Sequence, residues 1–599
     1  MGKIRSRLYK TDRARDFDHE QIYETIDRQP FQWTVVLVAG VGFFLDGYTL
    51  FASNIALPMI AYVYWRDEAT AHTLAWINVA TLTGTLVGQV VGGVLADKVG
   101  RKRMYGLELT LLIMSTLGVV MASTGVHHSM SIVAWLIWWR FMGGIGVGAD
   151  YPLSAVITSE FAPTKHRARM MAAVFFMQPL GQIAGNVVSL ITVAASRRQT
   201  DEDPTRAVDI MWRWVIGIGV VPGVVALLFR VAIPETPRFL LEIEDDPVQA
   251  EFDATALFGE ETVTQTPSAS PDLEPGSSWS SPFQLVPSGS SGSQVLDDSP
   301  ERIESSAGHP ATLNSHWRLA AADMGQYFWT EGNWRTLAGT ALAWLLLDFG
   351  FYGIGLSSPQ FLARTWGTLH LHPGPAPPWQ TDSRPDASVH RMFMDTSIHA
   401  MVILNAGSCL GGLLLIAFAD RLDRVALQKY GFLALAALFV ALGTLFVTVH
   451  LEGPVAVVLY FIGQTLFNFG PNGTTYILPA EVFPTRYRGT CHGLSAGAGK
   501  IGSILVQVLS AYYSKLATQP GDAQTTRHGW VLIVFSGCMV LGAAVTHVWI
   551  PSVQRAASGA SPFWGGQTQT LETLALGRMG GRSRYAVRTR SVWGVGVAG

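Results

Sequence analysis

The sequence predicts an all-α polytopic membrane protein, with twelve transmembrane helices arranged as two pseudo-symmetric six-helix halves. Three observations predict it. Of 599 residues, 49% are hydrophobic and only 14% charged, whereas soluble domains carry about a quarter charged residues. Apolar runs of ~20 residues, enough to cross a bilayer, recur twelve times along the chain. Finally, an acid-led motif in the first half returns in the second. Glu160-Phe-Ala-Pro-Thr-Lys-His-Arg167 reappears 321 residues later as Glu481-Val-Phe-Pro-Thr-Arg-Tyr-Arg488, and Asp97 and Asp420 lie 323 residues apart. Two nearly equal offsets in matched loops imply a duplicated unit of the kind that alternates access around a central site.

Taken in order, residues 1–31 form a polar N-terminal segment without the apolar core of a cleavable signal. Gly2 and Ser6 fit a myristoylation pattern, but a chain held by many helices gains little from one acyl group. The first half, 32–233, holds spans at about 32–62, 73–96, 104–126, 131–157, 168–195 and 212–233. Residues 234–333 are polar and rich in Ser, Pro and Gly at their centre, a composition that cannot bury enough apolar surface to offset its ordering entropy. They read as a largely disordered linker and a place for regulatory partners. The second half, 334–550, holds spans at about 336–362, 396–419, 428–450, 454–479, 489–514 and 529–550, with an irregular loop at 364–392. A disordered tail follows at 551–599. Basic clusters at 98–103, 165–169, 421–424 and 486–488 fall on the side of the basic N-terminus; by the positive-inside tendency that side is the cytoplasm. Membrane lipid is thus an obligatory partner.

Several classes are excluded by the same reading. A net charge of -2 offers no strongly basic surface for nucleic acid. Cys409, Cys491 and Cys538 lie in apolar segments, unlike a disulfide framework or a metal cluster. No GxxxxGK[ST] phosphate loop occurs, which argues against an ATP-driven pump. Neither enzymatic activity nor a metal or other cofactor is expected.

Function is sought in the charges that the spans contain. An ionisable side chain near the bilayer centre costs at least ~2.5–3.5 kcal/mol, so its presence needs a reason. Asp46, Glu108, Arg140, Asp150, Asp348 and Lys500 are such residues. Trp344, Asp348 and Tyr352 recur every fourth residue and so share one helix face, a polar stripe on an apolar span. Lys500, on the eleventh span, either balances a bound anion or pairs with a nearby acid. Asp97, with Gly93, Gly100 and Arg101, lies at an interface and reads as a latch between helices. His399 and His492 read as satisfied core or interface histidines.

The motifs themselves resemble a known group. Gly93-Val-Leu-Ala-Asp97-Lys-Val-Gly100-Arg101-Lys102, Arg140-Phe-Met-Gly-Gly144-Ile-Gly146-Val-Gly148 and Pro234-Glu-Thr-Pro-Arg-Phe239 are similar to motifs of the major facilitator superfamily. Gly148-Ala-Asp150-Tyr151-Pro-Leu-Ser-Ala-Val-Ile-Thr-Ser-Glu160 and the stretch from Phe467 through Asn472 to Glu481 resemble the phosphate:proton symporters of fungi and plants. Ala149, Thr49 and Pro179 depart from that family's pattern. The resemblance implies the major facilitator fold, a plasma-membrane location, and inorganic phosphate and protons as the transported species. It also implies a substrate site of Tyr151, Gln178, Trp344, Asp348, Tyr352 and Asn472, with Lys500 near the same depth. Asp46 and Asp150 are then the proton carriers, in a relay with Arg140 and Glu108; a structural Arg140–Glu108 ion pair is the alternative for the last two. Two other functions stay open: a facilitator of another solute, such as an organic anion or sugar, and a phosphate sensor with little flux.

Overall fold

A computed structural model describes residues 25–65, 71–244, 249–250, 252–253, 324–365, 390, 393–394, 397–398, 405–449, 454–516, 522–552 and 554. Among them, nine helices are long and apolar enough to cross a membrane. The first half contains α1 (Trp33–Tyr64), α2 (Ala71–Val99), α3 (Leu107–Val120), α4 (Ile132–Phe161) and α5 (Arg167–Ala195). Its sixth span is two pieces in line, α6 (Pro204–Gly217) and α7 (Val220–Ala232). The second half contains α8 (Trp334–Thr365), α9 (Ala406–Phe418), α10 (Arg424–Thr448), α11 (Pro454–Phe469), α12 (Pro471–Val482), α13 (Thr485–Leu516) and α14 (Asp522–Trp549).

The three remaining expected spans differ from that simple pattern for local reasons. The eighth is described as the short apolar α9. The tenth is broken between α11 and α12 at Gly470-Pro471, where proline has no N–H to continue the ladder. The eleventh, α13, is continuous over 32 residues but carries the polar side chains of the site. Helix starts follow the sequence. Ser131, Asp203 and Asp423 cap α4, α6 and α10 by accepting the amides of Ala134, Arg206 and Ala426. Pro58, Pro152, Pro179 and Pro479 sit inside helices, as membrane helices tolerate where neighbours satisfy the freed carbonyls.

The bundle is inverted relative to a soluble protein. Leu228, Phe229 and Val534 are exposed, while Asp46, Gln89 and Asn186 are buried. Close packing comes from small residues. Gly84, Gly88 and Gly92 of α2 and Gly144 and Gly148 of α4 repeat every fourth position, and a Cβ on any of them would strike the opposite helix backbone. The halves meet along two seams, α2 against α13 and α5 against α9.

At the end that carries the basic loops, the seams are locked twice over. Arg488 of the second half donates to Glu160 of the first at 2.9 Å, and Arg167 of the first donates to Glu481 of the second at 2.9 Å. Asp97 accepts the amides of Gly489 and Thr490 at 3.0 and 2.7 Å, while Asp420 accepts the amide of Arg169 at 3.1 Å. Arg101 and Arg424 close each set on Glu160 and Glu481 at 3.2 and 2.8 Å. The duplicated motif thus exchanges partners across the pseudo-twofold axis. At the other end Ser189 and Ser397 bridge the halves at 2.9 Å, and Phe393 packs into a cluster with Met59, Ile60 and Val193.

The start of the expected linker is built into this lock. Thr236 donates to Glu160 at 2.6 Å, the Arg238 guanidinium donates to the Glu160 carbonyl at 3.1 Å, and Glu235 accepts the amides of Arg101 and Lys102 at 3.2 and 3.1 Å. Gly100 makes that approach possible with a backbone φ of +105°. Gly2, Ser6, His399, the linker centre 254–323, loop residues 366–389 and the tail 555–599 lie outside the described residues.

Candidate functional site

The polar stripe expected on the seventh span faces a matching stripe on the eleventh. Along α8 run Thr340, Trp344, Asp348 and Tyr352; along α13 run His492, Ser495, Lys500 and Ser503. The two spans start at the same end of the bundle, so the two stripes run alongside each other. Thr340 and Ser495 share a hydrogen bond of 2.8 Å. The Trp344 indole meets the His492 ring edge-on at 5.6 Å. Lys500 donates to Asp348 Oδ2 at 2.9 Å and to the Tyr352 hydroxyl at 3.1 Å, and Ser503 donates to the same Asp348 oxygen at 3.1 Å. Gly499 lets α13 approach, because a Cβ there would meet Trp344 at 2.5 Å and Asp348 at 3.0 Å. Lys500 and Asp348 are 5% and 3% exposed, so each compensates a charge that would otherwise be buried alone.

The first half closes over this pair. The Lys500 ammonium lies 4.6 Å from the Tyr352 ring centre and 6.0 Å from that of Tyr151. Gln178 donates to the Tyr151 hydroxyl at 2.7 Å, so Pro179 leaves its neighbour in use. Asn472 instead donates to Asn468 at 3.1 Å, one turn away across the break in the tenth span. Of the expected substrate residues, Tyr151, Gln178, Trp344, Asp348, Tyr352 and Lys500 converge, and Asn472 is turned back to its own span.

A second charged cluster lies inside the first half. Arg230 pairs with Glu108, and with Asp150 at 2.9 and 3.0 Å. Its guanidinium stacks 4.1 Å above the Tyr105 ring, and Ser154 donates to Asp150 at 2.7 Å. Gly42 leaves the space: a Cβ there would collide with Arg230 and Asp150. One turn further along α1, Asp46 is fully buried, and neither of its oxygens has a hydrogen-bond partner.

The structure corrects the alternative reading of Arg140 and Glu108 as an ion pair. Arg140 lies ten residues before Asp150 on α4, about 15 Å along the axis, and donates to Ser53 instead. Arg230, which the sequence reading passed over, takes its place. It terminates the apolar run Val-Ala-Leu-Leu-Phe and looks like an ordinary basic residue at a helix end; only the return of α7 against α1 and α3 places it inside. His492, read as a satisfied core or interface histidine, is satisfied at one ring nitrogen. Its Nε2 contacts the Tyr476 carbonyl at 3.1 Å and its Nδ1 has no partner. Asp97, Gly93, Gly100 and Arg101 all lie in the lock, with Gly93 directly against the Gly489 backbone. Among the described residues no three His, Cys, Asp or Glu side chains converge as metal ligands would.

The Major Facilitator Superfamily pattern matches residues 39–507. A repressible high-affinity phosphate permease of Neurospora crassa is 36% identical over 88% of this chain and 86% of its own length. An inorganic phosphate transporter of Saccharomyces cerevisiae is 36% identical over 89% and 85%. A putative inorganic phosphate transporter of Oryza sativa subsp. japonica is 30% identical over 80% and 82%. Among solved structures, the proton:xylose symporter XylE bound to 6-bromo-6-deoxy-D-glucose superposes with a TM-score of 0.64, covering 91% of this chain and 99% of that one. At 19% identity that likeness speaks for the fold alone.

Proposed function

The chain belongs to the major facilitator superfamily, among the fungal and plant inorganic phosphate transporters, and on that premise we propose that it carries inorganic phosphate across a membrane in symport with protons. The observation that carries this reading is the Lys500–Asp348 pair, shared with Tyr352 and Ser503 and faced by Tyr151 and Gln178. An arriving anion competes with Asp348 for Lys500, while the Tyr352 hydroxyl and the Gln178–Tyr151 pair offer further hydrogen bonds. Two anionic groups in contact cannot both stay ionised without a proton between them. Dihydrogen phosphate brings such a proton, and Asp348 accepts it. Sulfate brings none and leaves the carboxylate facing bare anionic oxygens, a mismatch that a buried site rejects.

Proton coupling falls to the first half. An ionised Asp46 would be a buried charge with no hydrogen-bond partner, so the neutral acid is the form this arrangement accommodates. Asp150 and Glu108 are held by Arg230, one cation against two acids. Release of the Asp46 proton when the basic-loop end opens would couple the gradient to access. In this reading that end faces the cytoplasm, the membrane is the plasma membrane, and the 234–333 segment offers a place for regulatory partners.

The test is uptake of radiolabelled phosphate into proteoliposomes with and without an imposed proton gradient. Accumulation above equilibrium is expected only with the gradient, inhibited by arsenate and barely by sulfate. Specific binding without flux would make the protein a sensor instead. Sulfate competing as strongly as arsenate would overturn the phosphate assignment.

A further inference from the structure

Buried guanidinium groups in this protein share one habit. Among the described residues, Arg101, Arg167, Arg230, Arg424 and Arg488 each meet a carboxylate within 3.2 Å, and Arg238 meets Asp27 at 3.8 Å. Arg140 is the exception. It is 7% exposed, its contact to Ser53 is to a hydroxyl, and its Nε has no partner. No carboxylate pairs with it among the described residues. A charge taken out of water without a counter-charge costs several kcal/mol, so this position calls for an anion from elsewhere.

The surroundings say which kind. Arg140 opens onto a small pocket between α1, α2, α3, α4 and α6, whose polar wall is Thr49, Ser53, Thr81, Ser115 and Thr116. Four of these hydroxyls already donate their proton to a carbonyl of their own helix: Ser53 to Thr49 at 2.6 Å, Thr81 to Ile77 at 3.3 Å, and Ser115 and Thr116 to Leu112 at 2.9 and 2.8 Å. A hydroxyl has one proton and two lone pairs. Once the proton is committed, the wall presents acceptors. The cavity therefore combines a cationic donor on one side with hydroxyl lone pairs on the other. Chloride and sulfate can satisfy the first and not the second. An anion that carries hydroxyl groups of its own satisfies both.

We propose that the Arg140 cavity is a second anion site, distinct from the Lys500 site, selective for a singly charged oxyanion bearing its own hydroxyl protons, as dihydrogen phosphate does. Arg140 neutralises the charge, and Thr81, Ser115 and Thr116 accept the anion's O–H groups. Eleven residues separate Arg140 from Tyr151 of the Lys500 site, about 16 Å along α4, so both sites can be filled at once. The identification of the anion as phosphate rests on the function proposed above; the existence of the site does not.

Equilibrium binding of radiolabelled phosphate to the full-length protein in detergent, below neutral pH and in gluconate buffer, tests this. The wild type should bind two phosphates per chain, and Lys500→Ala should keep one. Arg140→Gln should lose the other, weakened on the order of a hundredfold, the worth of a hydrogen bond to a charged group. Thr116→Val and Ser115→Ala, milder changes to the same wall, should each weaken the site retained in Lys500→Ala by about threefold to tenfold. Arsenate should displace that phosphate, and chloride and sulfate should not. A single wild-type site that vanishes in Lys500→Ala would overturn the inference and leave the phosphate reading standing. No binding at all in the wild type would overturn both. Displacement by chloride or sulfate as effective as by arsenate would show an unselective cation in place of the site proposed.

Discussion

The two halves share a fold and a duplicated lock, yet they handle buried charge in opposite ways. In the second half, one lysine meets one acid, Lys500 with Asp348, and the pair is neutral, with Tyr352 and Ser503 sharing its hydrogen bonds. In the first half, Arg230 serves both Glu108 and Asp150, Asp46 is left without a partner, and Arg140 lies apart beside Ser53. A balanced pair can be opened by an anion and closed again with little net change of charge. A cluster with more acids than its cation can serve must hold protons or lose stability. The contrast fits the proposed division of labour, in which the second half exchanges Asp348 for substrate and the first takes up and releases protons.

The largest effect that would break this comparison is on stability. Replacing Arg230 by Met removes the partner of two buried acids and should cost about 3–5 kcal/mol. Lys500→Met orphans one acid, which still has Ser503, and should cost distinctly less. Thermal unfolding of the two variants in the same detergent decides; equal losses would mean that the clusters are electrostatically alike. Next is Asp46→Asn. It should abolish accumulation against a gradient, while exchange of internal for external phosphate continues, because the amide keeps the size and cannot release a proton. An Asp46→Asn protein that still concentrates phosphate would remove the first half from proton coupling.

Asp348→Asn sharpens the other side. It keeps the shape, withdraws the proton-accepting charge and should weaken phosphate binding by about tenfold, in the range of one charge-assisted hydrogen bond. Discrimination between arsenate and sulfate should narrow in parallel. Inhibition constants for both anions, measured against the wild type, are the readout. The smallest effect concerns the lock. Burial pushes Asp420 above the usual aspartate range, with Arg169 opposing. A carboxyl whose pKa is higher when the lock is closed binds its proton more readily in that state. Closure should therefore be favoured at low pH and lose that advantage as pH rises from about 3.9, the ordinary aspartate value, through the raised one. Spin-label distances across the basic-loop end should show the closed population falling over that rise, a change absent in Asp420→Asn.

Much of this was legible in the chain itself. Apolar run length, basic-loop placement and the twin Glu-x-x-Pro-Thr motifs dictate the spanning segments, the duplication and the locked end, because each depends on local composition or on repetition. The stripe Trp344, Asp348, Tyr352 was legible for the same reason: helical periodicity alone puts residues four apart on one face. What the tertiary structure decided is which charge answers which. Lys500 is 152 positions from Asp348, and Arg230 is 80 from Asp150 and 122 from Glu108. Arg140, ten residues from Asp150 on the same helix, proved too far along the axis to join it. Sequence separation says nothing about such pairings. They follow from which helices the glycine seams bring together and from the depth at which each side chain arrives, and in a low-dielectric interior a few ångströms of depth separate a compensated charge from an orphaned one.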